Sequence, residues 1–347
     1  MALKDIIGQD RALHILEGCK RRNRIPHALL FAGDEGVGKM LTAVNFAKTL
    51  NCHKEAGNEL FADHENTGSD YSGIERIDAC DECPSCRKID KHNHPDVFVI
   101  TPEGAGRQIN VAAIRNLGES LSFKPFEGNW KVAIVDDADR LNQSSANAFL
   151  QTLEEPSSQS VLILVSSRPD MLLPTIRSRC HRINFSPLPL DKMSSLLIER
   201  FKDFSIDQTM LLSTLSGGRL GYALNEDLIE KRDRSFEILN RLVGRLEEDV
   251  WDDRDAMEEW FDWAQLWLRD IAVFKATERT DLLINRDKEI EIKAFARETT
   301  LRNILTLARE IYNLRKQLYF NLNKQLTLNY TSLLFKRNLG KSKNREH

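Results

Sequence analysis

No stretch of this 347-residue chain comes near the ~20 consecutive apolar residues that a membrane-spanning helix needs. Its first residues, MALKDIIGQD, lack the apolar core of a secretory signal, so a cytoplasmic location is expected. A dominant charge is missing too. The 49 Lys and Arg against 52 Asp and Glu leave a net charge of -3. That excludes a global polyanion-binding surface and leaves nucleic-acid contact to local patches such as KRRNR (20–24), Lys124 and the C-terminal tail. No internal repeat is present. Cysteine is scarce at six residues. In a cytoplasmic chain these are metal ligands or free thiols rather than disulfides.

Against that background, five short apolar runs stand out: HALLFAG (27–33), DVFVITP (96–102), KVAIVDDAD (131–139), SVLILVSSR (160–168) and RINFSPL (182–188). Each has strand length and polar or turn residues at its ends. Continuous rather than alternating hydrophobicity suits a parallel sheet covered on both faces. Between the runs lie helical patterns. GKMLTAVNFAKTLN spaces Leu41, Val44, Ala47 and Leu50 along a helix. NQSSANAFLQTLEEP puts Ala146, Phe149, Leu150 and Leu153 on one face and stops at Pro156. The alternation predicts an α/β core, a parallel five-stranded sheet with helices on both faces. After SPLPL (186–190) the chain reads as helix, interrupted at SGGRLG (216–221). There Trp260, Trp263, Trp267, Ile271 and Phe274 form one stripe, the core of a helical bundle rather than a ligand site. The tail KRNLGKSKNREH is basic and poor in apolar residues, so disorder is expected.

GDEGVGKM (33–40) begins as a phosphate-binding loop. The pattern G-x-x-x-x-G-K-[ST] is met by Gly33, Gly38 and Lys39, with Gly36 between them, a strand before and a helix after. Backbone N–H groups of such a loop and its helix N-terminus cradle phosphate oxygens, and the lysine reaches the β- and γ-phosphates. The next residue normally gives a hydroxyl to Mg²⁺. Here it is Met40, whose soft thioether cannot serve an ion that wants hard oxygen. Thr42 lies about 200° further round the helix and points elsewhere. A bare strand–helix turn is the plainer alternative, and the register of the glycines with Lys39 speaks against it. VAIVDDAD (132–139) resembles the strand that ends in the Mg²⁺-orienting Asp of P-loop ATPases, here Asp136. Asp137 follows where a Glu would polarise the attacking water. It is one methylene shorter and can miss the roughly 2.6–3.2 Å reach of a general base. The rival role for both aspartates is to cap a following helix.

Cys52 follows the loop's helix, and CDECPSC (80–86) holds Cys80, Cys83 and Cys86. The doubled C-x-x-C spacing with a fourth thiolate completes a tetrahedron, so a structural Zn²⁺ is expected in a module at 52–94. Four thiolates leave no open position for catalysis. A redox pair is the rival, without thioredoxin-like surroundings to support it. His53, His92 or His94 could replace one sulfur. Cys19 is expected to be a buried helical residue. Residues 54–79 are polar and irregular, as in a mobile loop.

The order IIGQD (6–10), RIPHALLFAGDEGVGK (24–39), the cysteines, VDDADRLNQSSANAFLQTLEEP (135–156) and LLPTIRSRC (172–180) resembles the bacterial clamp-loader family of AAA+ proteins. The resemblance covers essentially the whole chain. It is dense to residue 186 and thinner beyond, where WLRDIAVFK (267–275) and NLNKQLTLNYTSLL (321–334) still fit. It implies an AAA+ P-loop core at 1–186 with the zinc module as an insertion, a helical lid at 187–228, an all-α collar at 229–336 and a disordered tail at 337–347. It also implies a place in a pentameric ring beside gamma/tau and delta clamp-loader subunits, which together open a sliding clamp and place it on primed DNA. The family's Ser-Arg-Cys motif falls on Ser178, Arg179 and Cys180. That makes Arg179 the arginine finger offered to the ATP site of a neighbouring subunit. Ser166 stands where a γ-phosphate-sensing hydroxyl lies. Three positions depart from the hydrolysing gamma/tau branch: Met40 replaces Thr, Asp137 replaces Glu, and Gly221 takes the place of a sensing Arg, with Arg219 two residues earlier. These losses liken the chain to the delta-prime branch, which assists a neighbour's hydrolysis and holds ATP and Mg²⁺ weakly or not at all. Two other readings stay open, a working gamma-type ATPase and an AAA-like DNA-binding module. Glu154 and Glu155 end a helix and either face a partner or are solvated. The family belongs to a DNA polymerase holoenzyme, yet no constellation here supports nucleotidyl transfer.

Overall fold

The computed structural model describes residues 2–54, 78–104, 107–157, 159–200, 205–224, 228–244, 250–251, 253–318 and 322–339. The chain divides into two compact units. The first is Met1–Pro189 with Gly218–Tyr222, and the second is Leu190–Gly217 with Ala223–His347.

In the first unit five strands form one parallel sheet: β1 (Ala28–Ala32), β2 (Val97–Ile100), β3 (Lys131–Val135), β4 (Ser160–Ser166) and β5 (His181–Asn184), in the order β2-β3-β4-β1-β5. The three central strands β1, β3 and β4 are buried at every residue, as their unbroken apolar runs require. The edge strands are wetter: β2 is half-buried and only Ile183 of β5 is buried. Alternate side chains feed two apolar layers. Leu29, Phe31, Val132, Ile134 and Ile163 meet helices α1 (Asp10–Arg21) and α2 (Lys39–Asn51) through Leu13, Leu16, Phe46 and Leu50. α3 (Pro84–Asp90) packs on α2. Leu30, Ala133, Val135 and Leu164 meet α4 (Val111–Ser122) and α5 (Gln143–Glu154) through Ile114, Leu117, Phe149 and Leu153. α6 (Pro174–Arg177) is a single turn before β5.

The strand positions match the sequence reading, but the phase of α2 does not. Leu41 is exposed and Val44 half-buried, whereas Ala43, Phe46, Ala47 and Leu50 carry the core face. α3 covers a further side of α2, so even Lys48 and Asn51 are buried and no single stripe marks the inner face. α5 follows the expected face more closely. Asn142 caps it, its Oδ1 accepting from Ser145 N at 2.9 Å, and Leu150 is half-buried. Cys19, expected buried, is half-buried in α1.

The second unit is helical: α7 (Leu190–Arg200), α8 (Ile206–Ser216), α9 (Leu220–Ala223, whose first residues belong to the first unit), α10 (Leu228–Val243), α11 (Arg254–Thr277), α12 (Glu289–Glu298), α13 (Leu301–Gln317) and α14 (Lys324–Leu339). Trp260, Trp263, Trp267 and Ile271 on α11 are buried. Trp260 lies 5.4 Å from Trp251 and 5.8 Å from Phe335, ring centre to ring centre, a packed aromatic core. α14 runs to Leu339, so residues 337–339 are helical rather than part of a disordered tail. Leu339 is buried, and Thr299 Oγ1 donates to Asn338 O at 2.7 Å, which pins the last turn. The rest of the expected tail (340–347) and most of the expected mobile loop (55–77) lie outside the described residues. Among the described residues no helix is long and apolar enough to cross a membrane.

Candidate functional site

The phosphate loop joins β1 to α2. Gly36 (φ +79°) and Gly38 (φ +96°) hold left-handed conformations that favour glycine. At Gly36 a Cβ would also come within 3.0 Å of Tyr222 N. A Cβ at Gly33 would meet Phe185 O at 2.3 Å. Lys39 is buried, and its ammonium turns back on the loop, donating to Gly33 O at 2.6 Å and Asp34 O at 2.7 Å. Burial lowers its pKa against the pull of Glu35, Asp136, Asp137 and Asp34. Met40 packs against the apolar layer and lines a cavity of about 420 Å³ with Val44, Ile89 and Val97. Thr42 Oγ1 donates to Gly38 O at 2.8 Å, so it cannot replace the missing hydroxyl.

Asp136 and Asp137 stand at the C-terminal end of β3. Burial raises the Asp136 pKa, and the charge of Asp137 raises it further. Asp137 holds φ +43° and lies 3.6 Å from Arg107 Nη2. It precedes a short 3-10 turn, Ala138–Arg140, but its side chain makes no capping bond, which removes the capping role for Asp137. Ser166 is buried at the end of β4. Its Oγ donates to Asp139 Oδ1 at 2.7 Å and accepts from Arg168 N at 3.1 Å, so the hydroxyl is committed inward.

The returning segment Gly218–Tyr222 closes on the loop. Gly221 N donates to Gly36 O at 2.8 Å, and a Cβ on Gly221 would lie 2.9 Å from that oxygen. No side chain, least of all an arginine, fits there without a shift of the loop. Arg219 stacks instead over the Tyr222 ring at 4.4 Å. Gln9 ties the other side: its Nε2 donates to Val37 O at 3.1 Å and to Ser186 O at 2.8 Å.

Arg179 is placed apart from this cluster, just after α6. It is exposed, and Nη2 donates to Glu154 Oε1 at 2.7 Å while Nη1 donates to Thr175 O at 3.1 Å. Its neighbour Cys180 points the other way. That thiol packs against the inner layer, and burial pushes its pKa up to about 12.

Cys52, Cys80, Cys83 and Cys86 converge, with all four Sγ atoms within 4.8 Å of one another. A tetrahedral Zn²⁺ with Zn–S near 2.3 Å needs sulfurs about 3.8 Å apart, so the four fit one ion. Three of the sulfurs already accept backbone N–H groups: Cys52 from Cys80, Cys80 from Cys83 and Cys83 from Cys86, at 3.4, 3.3 and 3.5 Å. Burial pushes the Cys83 thiol up. The N–H groups of Cys86 and His53, with the neighbouring thiols, outweigh it and bring Cys83 down to about 6. Among the described residues the cluster contains cysteines alone.

A family model described as DNA polymerase III, delta subunit, matches residues 8–189, more than half of the chain. The chain belongs to the DNA polymerase III delta-subunit family. A second model, for the C-terminal part of the delta subunit, matches residues 248–336, which hold α11 to α14. The delta' subunit of Bacillus subtilis is 27% identical over 339 residues, covering 94% of this chain and 95% of that one. The delta' subunit of Pseudomonas aeruginosa is 35% identical over 193 residues, 55% of this chain and 53% of its own. The tau/gamma subunit of Haemophilus influenzae is 28% identical over 253 residues, 71% of this chain and 34% of its own. The first block of this delta-family match contains the phosphate loop, the paired aspartates, the cysteines and Arg179 together. Sequence reasoning missed Gln9, Arg107 and Asp139 and left Glu154 open. Each acts through a partner far along the chain, which no local motif signals.

Proposed function

We propose that this chain is a delta-prime-type subunit of the polymerase III clamp loader. It works in a pentameric ring with gamma/tau and delta subunits that opens the sliding clamp and loads it on primed DNA. It serves a neighbour's ATP site with Arg179 and turns over little or no ATP itself. The observation that carries this reading is the contrast between the two sites. At the loop several positions that would act on a nucleotide are engaged elsewhere or lack the group required. Lys39 bonds its own loop, Met40 has no hydroxyl and faces the apolar layer, Ser166 serves Asp139, and Gly221 N–H binds Gly36. Arg179 by contrast presents its guanidinium at the surface. Such a fork of donors matches the charge on a γ-phosphate in transfer. The four cysteines would hold one Zn²⁺, which ties Cys52 at the end of α2 to the 80–86 turn and does no chemistry on substrate. Lys124 and the 20–24 run are candidate phosphate contacts for DNA within the ring.

The test is ATP turnover by a reconstituted clamp loader in which the partner ATP sites other than the one beside Arg179 are silenced, carrying this chain as wild type, Lys39→Ala or Arg179→Ala. Arg179→Ala is expected to slow the one site it serves by up to ~10³-fold. Lys39→Ala is expected to leave total turnover within about twofold. The opposite pattern would make this chain a hydrolysing gamma-type subunit.

A further inference from the structure

The carboxylate of Glu154 is out of place by local rules. It is the last residue of α5, Glu155 follows it, and the last turn holds no basic residue. A helix C-terminus carries partial negative charge and disfavours acids. Where a sequence breaks a local preference, the compensation lies in tertiary structure or function. Here the compensating group is Arg179, 25 residues on, whose Nη2 donates to Glu154 Oε1 at 2.7 Å. The second hold, from Nη1 to Thr175 O at 3.1 Å, comes from α6.

We propose that Glu154 is a positioning residue that sets the guanidinium of Arg179 for delivery to the adjoining ATP site. The inference rests on the finger reading of Arg179. An arginine carries five N–H donors in a planar fork. Glu154 and Thr175 use one each, and three remain for phosphate oxygens. A free arginine of this length samples many rotamers. A guanidinium fixed on two sides has lost that freedom before the neighbour's nucleotide arrives, so less is lost when phosphate bonds form. Both side chains are exposed, at 38% and 52%, so the pair contributes little to folding stability. Its consequence falls on geometry, where displacement by an ångström costs rate rather than binding.

The experiment is steady-state ATP turnover at the one site Arg179 serves, in a reconstituted clamp loader whose other partner ATP sites are silenced by substitution, with Glu154→Gln, Glu154→Ala, Arg179→Ala and the Glu154→Ala/Arg179→Ala double variant. Glu154→Ala is expected to lower kcat about tenfold with KM for ATP little changed, and Glu154→Gln, which keeps an acceptor oxygen, to lose less. In the Arg179→Ala background Glu154→Ala is expected to add nothing. If Arg179→Ala slows turnover and the Glu154 variants do not, the positioning role is overturned while the finger stands. If Glu154→Ala slows turnover equally with and without Arg179, it acts by another route and the proposal also falls. If Arg179→Ala itself has no effect, the finger reading and the positioning role fail together.

Discussion

Two adjacent carboxylates end the buried strand β3, and they do not share a charge state easily. Burial raises the Asp136 pKa above its ordinary value, and the charge of Asp137 adds to this. Ionised Asp136 is therefore less favourable in the fold than in the unfolded chain. That penalty is complete above the folded pKa. It disappears as pH falls through the folded pKa toward the unfolded one, where both states are protonated. Asp136→Asn is expected to raise the thermal midpoint at pH 8, and the gain is expected to shrink as pH approaches 4. A lower midpoint at pH 8 would mean that attraction to Lys39 outweighs desolvation. What was legible at this scale was whatever sits close in sequence, namely the glycines with Lys39, the missing hydroxyl at Met40 and the C-x-x-C pairs. The bonds that decide how the groups behave were not legible. Ser166 finds Asp139 across 27 residues, and Arg179 finds Glu154 across 25. Spacing alone does not choose among the chain's many acids and bases.

Strands and helices were legible to different degrees, for one reason. Continuous apolar runs identify β1, β3 and β4 because both sheet faces are covered, and both faces then demand the same chemistry. α2 defeated the same logic. A helix with one buried face shows a stripe, but α2 is covered by the sheet and by α3, and its inner residues include Lys48. That lysine is fully buried. It pairs with Asp81, between Cys80 and Cys83, and with Asp90 at 3.0 Å at the end of α3, holding the cysteine module onto the helix of the phosphate loop. Lys48→Met would remove the lysine cation from beside both carboxylates. Because each reaches water in part, the expected cost is about 2 kcal/mol, below the ~3–5 of a fully buried pair. Urea unfolding measures it. An unchanged midpoint would show that methionine packing replaces the ion pair in full.

At the level of the whole chain, each unit has its own core, and the tryptophans are divided unequally between them. Trp130 lies in the first unit, while Trp251, Trp260, Trp263 and Trp267 lie in the second. The first unit runs to Pro189, after the last strand and before the first helix of the second unit. The return of Gly218–Tyr222 to the first unit was not legible. It depends on glycines whose partners, Leu188 and Gly36, are distant in sequence. This division makes metal removal a test with two separate signals. The four thiols are expected to bind one Zn²⁺ per chain, released to a chromogenic chelator. Its loss frees the 80–86 turn from the end of α2, because binding energy that holds the four sulfurs together in the folded state is then gone. The circular-dichroism transition of the α/β unit is expected to fall by about 5 °C or more, as a loss of ~2 kcal/mol does in a domain of this size. Tryptophan emission, dominated by the bundle core, is expected to keep its midpoint. If both transitions fall together, the two cores unfold as one cooperative body. If neither moves and no zinc is released, the cysteines hold no metal.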